Sequence, residues 1–288
     1  MAISSNIRTY FEGTWHKGNV PIMRAADHGS WLGSTVFDGA RLFDGLTPDL
    51  LAHCQRINRS AEALGITPNQ TPEEIMALVL EGLELFPKGA GVYIRPMYWG
   101  IDSGMAGIVP LEGVTGFAIC LEEYPMAEAS ASTTLTTTQF HRPVLNDAVV
   151  NAKAGALYPN NARMLHEAGA KGFGNALVAD ALGNVAETAS ANVFMARDGE
   201  LFTPVANGTF LAGITRARHM ALLREAGKVV HETVLSFDDF RAADEVFLSG
   251  NMTKVTPVTA FDDTHYQHGP LTKLARELYW DWARSAKT

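Results

Sequence analysis

Apolar residues at Cys54, Ile57, Ala61 and Leu64 recur at three- and four-residue spacing, which predicts a helix over 50–64, with Asp49 placed to cap it and Gly65 to end it. Thr71-Pro72-Glu73-Glu74 has the form of a capping box with proline in the first turn, so a second helix is predicted from there up to Pro87. Over 91–99 the spacing changes to two. Val92 and Ile94 alternate with Tyr93 and Arg95, which predicts a strand carrying Tyr93 and Arg95 on one face. The apolar run 115–121 suits a buried strand, whereas 122–132 loses all periodicity and reads as a linker. Beyond it a strand is predicted over 133–140 and a helix over 159–168, with proline at its start and Gly169 after its end. Two hairpins are predicted, one turning near Gly183-Asn184 and one at Asp198-Gly199. A helix over 215–226, strands over 229–235 and 245–248, and an amphipathic helix over 271–282 complete the pattern.

This order of elements is that of a mixed α/β (α+β) protein. Its 288 residues suffice for two modest domains, expected as a small N-terminal α/β domain at 1–125, a linker at 126–131 and a large C-terminal domain at 132–288. With 47% hydrophobic and 19% charged residues the chain is globular rather than disordered or fibrous. A net charge of -8 argues against nucleic acid as a partner. Two cysteines, Cys54 and Cys120, are too few for a disulfide framework and fit a reducing cytoplasm. The first residues lack the apolar core of a signal peptide, and no stretch is apolar enough for a membrane span, so neither secretion nor a membrane partner is expected.

Familiar catalytic signatures fail. None of the nine histidines forms H-E-x-x-H, and His231-Glu232 lacks a second histidine one turn on, so no metal site is expected. Gly172-Phe173-Gly174 begins like a dinucleotide fingerprint, but Leu177 stands where its third glycine belongs. No phosphate-binding G-x-x-x-x-G-K-[ST] loop is present, and Gly29-Ser30-Trp31-Leu32-Gly33 has its serine one position away from a nucleophile elbow.

The informative stretch is Asn151-Ala152-Lys153-Ala154-Gly155-Ala156-Leu157-Tyr158-Pro159. A lysine among small residues directly before a helix can sit in a partly dry pocket and act as an amine nucleophile, although by spacing alone a lysine among alanines is usually a solvated one. Other segments add to it. His28 to Phe43 (HGSWLGSTVFDGARLF), His53-Cys54-Gln55-Arg56-Ile57, Tyr93-Ile94-Arg95-Pro96 and Gly104-Met105 precede the lysine, and three more follow it. These are Ala186-Glu187-Thr188-Ala189-Ser190-Ala191-Asn192-Val193-Phe194, Leu211-Ala212-Gly213-Ile214-Thr215-Arg216 and Asp244-Glu245-Val246-Phe247-Leu248-Ser249-Gly250. In this order they cover nearly the whole chain, which resembles the fold-type IV pyridoxal-phosphate enzymes and is most similar to the branched-chain amino acid aminotransferases.

The resemblance implies the two-domain fold of D-amino acid aminotransferase-like proteins and the cofactor pyridoxal 5'-phosphate. It implies that Lys153 binds the cofactor at C4′ and then moves the proton between the substrate Cα and C4′, and that Glu187 is the acid at the pyridine nitrogen. Tyr158 matches the tyrosine that bonds the phenolic oxygen. Arg56, Gly213, Ile214 and Thr215 match the phosphate elements, the latter three at the start of a helix whose N–H groups attract anions. Asn251 stands where a hydroxyl residue is common in the family. Arg95, with Tyr93, Phe37, Gly39 and Arg41, resembles the substrate pattern that recognises the α-carboxylate and receives an aliphatic side chain. Val109 lies in a loop resembling the one that lines the partner's pocket, although Ala106 and Ile108 depart from its commonest form.

Leu32 departs from the pattern, standing where the branched-chain enzymes carry a tyrosine. Relatives that act on D-amino acids or on (R)-configured amines therefore stay open as substrate alternatives. So do a lyase of the aminodeoxychorismate lyase kind and, outside enzymes, a metabolite-binding relative without chemistry. The expected partners are a small-molecule amino donor and a 2-oxo acid acceptor, and the resemblance implies a homodimer with the active site near its interface.

Overall fold

The computed structural model describes residues 4–285. The chain clusters into two units, one of residues up to Met126 together with Ala152–Leu157, the other of Ala127–Asn151 together with the residues from Tyr158 onward. Helices and sheets are mixed in both, an α+β fold. Among the described residues no helix is long and apolar enough to cross a membrane.

The first unit contains β1 (Ile7–Phe11), β2 (Thr14–Lys17), α1 (His28–Trp31), β3 (Thr35–Phe37), β4 (Ala40–Leu42), α2 (Leu50–Ala63), α3 (Pro72–Leu83), β5 (Val92–Gly100) and β6 (Thr115–Glu123). Its sheet runs β2-β1-β6-β5-β3, every pair antiparallel, and β4 joins the same strand β5 that β3 does. Thr35–Phe37 therefore pair with Met97–Trp99 and Ala40–Leu42 with Val92–Ile94, leaving Asp38 and Gly39 as the corner between them. The helical spacing on α2 serves burial: Cys54, Ile57 and Ala61 pack with Ile75, Val79 and Leu83 of α3 against Val92, Ile94, Ile119 and Leu121. Thr71 and Glu74 form the expected capping box, the Glu74 N–H donating to Thr71 Oγ1 at 3.2 Å. Asp49 does not cap α2, because its backbone is left-handed (φ 58) and its side chain makes no cap bond. β5 alternates as its sequence predicts, with Val92 and Ile94 buried and Tyr93 and Arg95 half-buried on the opposite face.

The second unit contains β7 (Thr133–Thr137), α4 (Tyr158–Ala170), β8 (Asn175–Ala179), β9 (Val185–Thr188), β10 (Asn192–Arg197), β11 (Glu200–Pro204), α5 (Ile214–Glu225), β12 (Val230–Thr233), α6 (Phe237–Arg241), β13 (Glu245–Gly250), β14 (Lys254–Phe261), β15 (Thr264–His265) and α7 (Pro270–Ser285). The sheet order is β12-β11-β10-β13-β14-β7-β8-β9, with β15 on β14. Its strands are buried on both faces, so successive residues serve different cores. Val193, Met195, Val246 and Leu248 pack on one side, while Phe194, Ala196 and Phe247 meet Met220 and Leu223 of α5 and Leu271 and Ala275 of α7 on the other. Asp198 (φ 52) and Gly199 (φ 80) make the tight turn between β10 and β11, both residues left-handed as a two-residue hairpin turn requires.

α5 carries His219 into this core with no exposed surface, its Nδ1 2.8 Å from Ser249 Oγ. Burial, and behind it the charge of Lys254, pushes the imidazole down to about 3 from its ordinary 6.5. The unfolded chain protonates this histidine below about 6.5 while the folded chain does not. Its contribution to stability is therefore whole above that value and is lost as the pH falls toward 3, on the order of 1 kcal/mol per pH unit. Thermal midpoints measured from pH 7 to pH 4 are expected to fall more steeply for the natural protein than for His219→Gln. Parallel slopes would show that His219 does not stay neutral.

Candidate active site

The lysine segment is fixed through its backbone. The Lys153 N–H donates to Ser60 Oγ on α2 at 3.1 Å, its carbonyl accepts from the Phe37 N–H at 3.1 Å, and Ala154 forms an antiparallel bridge with Val36 of β3. A Cβ at Gly155 would collide with Thr35 Oγ1, so a glycine is needed for this close approach. The side chain turns back over β3, with Nζ 4.7 Å from the centre of the Phe37 ring, within cation–π range.

One turn before Ser60 on α2, Arg56 is buried and meets the fully buried Asp38 in a fork, Nε to Oδ2 at 2.7 Å and Nη2 to Oδ1 at 2.8 Å. His53 Nδ1 lies 2.7 Å from Asp38 Oδ1, and the Gly39 N–H donates to the same oxygen at 2.7 Å. Burial alone would raise the Asp38 pKa. The charge and hydrogen bonds of Arg56, followed by those of His53, outweigh it and hold the carboxyl well below the usual carboxylate range. The consequence is a guanidinium whose plane is set by an ionised partner, the geometry in which arginine grips a phosphate or carboxylate.

Strand pairing places Arg41 opposite Tyr93. Arg41 is fully buried, donates from Nη2 to the Tyr124 carbonyl at 2.5 Å and lies 5.4 Å from the centre of that ring. Burial pushes its pKa down to about 10, partly offset by Tyr93 and Tyr124, so it stays cationic at neutral pH. A Cβ at Gly39 would stand 2.5 Å from Tyr93 Oη, which makes the glycine a requirement for the phenol's position. Arg95 stands 5.1 Å from the centre of the Tyr93 ring and donates from Nη2 to Glu122 Oε2 at 3.1 Å. Leu32 and Val109 are exposed, and His28 joins their segments, with Nε2 2.9 Å from the Ile108 carbonyl and Nδ1 2.7 Å from Ser34 Oγ.

In the second unit Glu187 sits on β9 between two donors. Arg142 Nη2 lies 3.2 Å from Oε1, and Asn192 Nδ2 donates to Oε2 at 3.2 Å. Arg142 is itself tied down, donating from Nη2 to the Thr188 carbonyl at 2.8 Å and from Nη1 to Asn161 Oδ1 at 2.5 Å. Tyr158 opens α4 and is partly exposed. α5 starts at Gly213-Ile214-Thr215 with no side-chain cap on its first turn, and a Cβ at Gly213 would collide with Asn192 Oδ1. β13 brings Ser249 opposite Asn192 in register, and the corner after it holds Asn251, whose Nδ2 is buried with no hydrogen-bond partner. Uncapped helix N–H groups, the Thr215 hydroxyl and an unsatisfied amide donor form a donor set that fits a phosphate dianion.

Thus the first unit gathers Lys153, Phe37, Gly39, Arg41, Arg56, Tyr93 and Arg95 around β3, β4 and β5, and the second gathers Glu187, Gly213, Ile214, Thr215 and Asn251 around β9, β13 and the start of α5. Sequence reasoning does not reach Asp38, Glu122 or Arg142. Asp38 lies between two singled-out residues, but nothing in its neighbours shows that it is buried. Arg142, in His141-Arg142-Pro143, carries no signal, because its partner Glu187 meets it through the strands that separate them.

The first unit offers a lysine held by its backbone, and the second a carboxylate braced by a guanidinium and an amide and a cradle of anion donors, side-chain types that suit amine chemistry on an anionic cofactor. The chain belongs to the family of class IV aminotransferases, whose sequence model matches residues 35–261. It is 30% identical over 279 residues to the branched-chain-amino-acid aminotransferase of Salmonella typhimurium, covering 92% of this chain and 88% of that one. The crystal structure of an aminotransferase from Brucella abortus bound to the cofactor PLP is 57% identical and superposes with a TM-score of 0.95, covering 97% of this chain and 99% of that chain. The branched-chain amino acid aminotransferase of Escherichia coli is 27% identical with a TM-score of 0.88, over 98% of this chain and 95% of that chain.

Proposed function

We propose that the protein is a pyridoxal-phosphate-dependent transaminase that moves the amino group of a branched-chain or related amino acid to a 2-oxo acid. The observation that carries this reading is Glu187, braced by Arg142 and Asn192. A carboxylate fixed from two sides suits the task of keeping a proton on the pyridine nitrogen. When bound, pyridoxal phosphate supplies the carbonyl carbon that takes the amine and the ring that accepts electron density released at the substrate Cα.

This chain's residues then divide the work. Lys153 would hold the cofactor and would move the proton between the substrate Cα and C4′. Tyr158 donates to the phenolic oxygen. Arg56, with its plane set by Asp38, is an arginine suited to a phosphate; within the second unit the N–H groups of Gly213, Ile214 and Thr215 and the Asn251 amide are the phosphate donors. Arg95 and Arg41 supply positive charge for the substrate carboxylate, Tyr93 and Gly39 shape that side, and Phe37, Leu32 and Val109 give apolar contact. In this reading the enzyme is a cytoplasmic homodimer, supported by two free cysteines and by exposed Trp31, Leu32, Met105 and Ile108 in the first unit. Light scattering of the purified enzyme tests the dimer.

Mixing the enzyme separately with L-leucine and with (R)-1-phenylethylamine, and following conversion of the cofactor to its amine form in the visible spectrum, tests the substrate class. Conversion by L-leucine is expected, and conversion chiefly by the amine would move the enzyme to the (R)-amine transaminases. Arg95→Ala is expected to lower kcat/KM for amino acids by about 10²-fold, the scale of a lost charge-assisted hydrogen bond to a carboxylate. Simple amines should lose far less, and equal losses on both would remove Arg95 from carboxylate recognition.

A further inference from the structure

Lys254 opens β14 directly after the corner that holds Asn251, has no exposed surface and carries a left-handed backbone (φ 63). Such a conformation is costly for a residue with a side chain and persists where its surroundings require it. The Lys254 ammonium donates to Asn251 Oδ1 at 2.6 Å and lies 5.5 Å from the centre of the Tyr279 ring of α7. On the α5 side stands His219, kept neutral by burial and by this lysine's charge.

A carboxamide has an accepting end and a donating end, and it can exchange them by rotating half a turn. An ammonium offers donors only, so Lys254 can satisfy nothing but the oxygen of Asn251. The rotation is thereby excluded, and the buried Nδ2 without a partner becomes the end left over. We propose that Lys254 is a positioning residue for the cofactor phosphate: it clamps Asn251 Oδ1 so that Nδ2 is held as a fixed donor to a phosphate oxygen. The inference rests on the reading of Gly213, Ile214, Thr215 and Asn251 as phosphate elements. It also accounts for an amide where a hydroxyl is the commoner choice. A hydroxyl rotates freely between donor and acceptor and needs no clamp, whereas the amide needs one.

The test uses pyridoxamine 5'-phosphate, which forms no covalent bond to Lys153, titrated by fluorescence into the cofactor-stripped enzyme and its variants K254M, N251T and the K254M/N251T double variant. The 31P resonance of the bound phosphate is recorded alongside. K254M is expected to weaken binding about tenfold, the loss of one charge-assisted positioning contact, and to shift the 31P resonance. In the N251T background the same lysine change is expected to cost under about twofold, because the effect passes through the amide. An unchanged dissociation constant and 31P signal in K254M would overturn the proposal, as would an equal loss in both backgrounds. If K254M melts far below the natural protein, K254Q is held to the same two criteria. Thr215→Val and Asn251→Ala test the underlying reading. Unchanged binding in both would remove the phosphate assignment, whereas weakened binding in both with K254M unchanged would remove Lys254 alone.

Discussion

Replacing Lys153 by alanine is expected to abolish turnover, lowering kcat by at least about 10³- to 10⁴-fold, and to remove the cofactor attachment that borohydride traps. Under the proposed assignment both effects follow, because one amine serves as covalent anchor and as the base that moves the substrate proton. The variant is expected to fold. The contacts that place the segment use the Lys153 backbone N–H and carbonyl, to Ser60 and Phe37, and the bridge of Ala154 with Val36, none of which alanine removes. Loss of activity with an unchanged circular dichroism spectrum therefore reports chemistry rather than unfolding. Retained turnover together with retained borohydride trapping would refute the assignment. Retained trapping alone would move the anchor to another lysine.

Glu187→Gln is expected to lower kcat by about 10²- to 10³-fold, the scale of removing one preorganised electrostatic group from a reacting centre, while KM changes little. The amide preserves size but cannot hold a proton on the pyridine nitrogen as a carboxylate does, so the ring becomes a poorer acceptor of electron density. It also leaves Arg142 facing a neutral group at a buried position, which is destabilising in itself. A loss of stability without a fall in kcat would confine Glu187 to a structural role. Glu187→Asp separates the two, since it restores the charge at a shorter reach and should recover part of kcat.

Local physics made much of the fold legible. The helix around Cys54, Ile57 and Ala61, the capping box at Thr71, the alternation in β5 and the turn at Asp198-Gly199 each depend on residues within one or two turns of chain. What periodicity does not reveal is equally physical. β3 and β4 are only three residues long, too short to display a period, and their pairing partners lie on β5. β14 contains Pro257, which argues against a strand within a sheet, yet it pairs with β13 and β7. Asp49 stands where a cap belongs, but its backbone is left-handed and its side chain makes no cap bond to α2.

The site divides in the same way. The residues to which the proposed reading assigns the chemistry stand in the sequence within a recognisable order of segments: Arg56, Lys153, Tyr158, Glu187, and Gly213 through Thr215 at a helix start. The sequence by itself thus determined the class of reaction and which side chains could take part in it. Only the tertiary structure decided how those side chains are held. Asp38, before β4, reaches Arg56 on α2, Arg142 reaches Glu187 although α4 and β8 lie between them in the chain, Glu122 reaches Arg95 through the pairing of β5 with β6, and Lys254 meets Asn251 only through a left-handed turn. Spacing along the chain encodes contacts of one helical turn or one strand alternation, whereas a buried charge is oriented by whichever partner the packed fold brings within hydrogen-bonding distance of it.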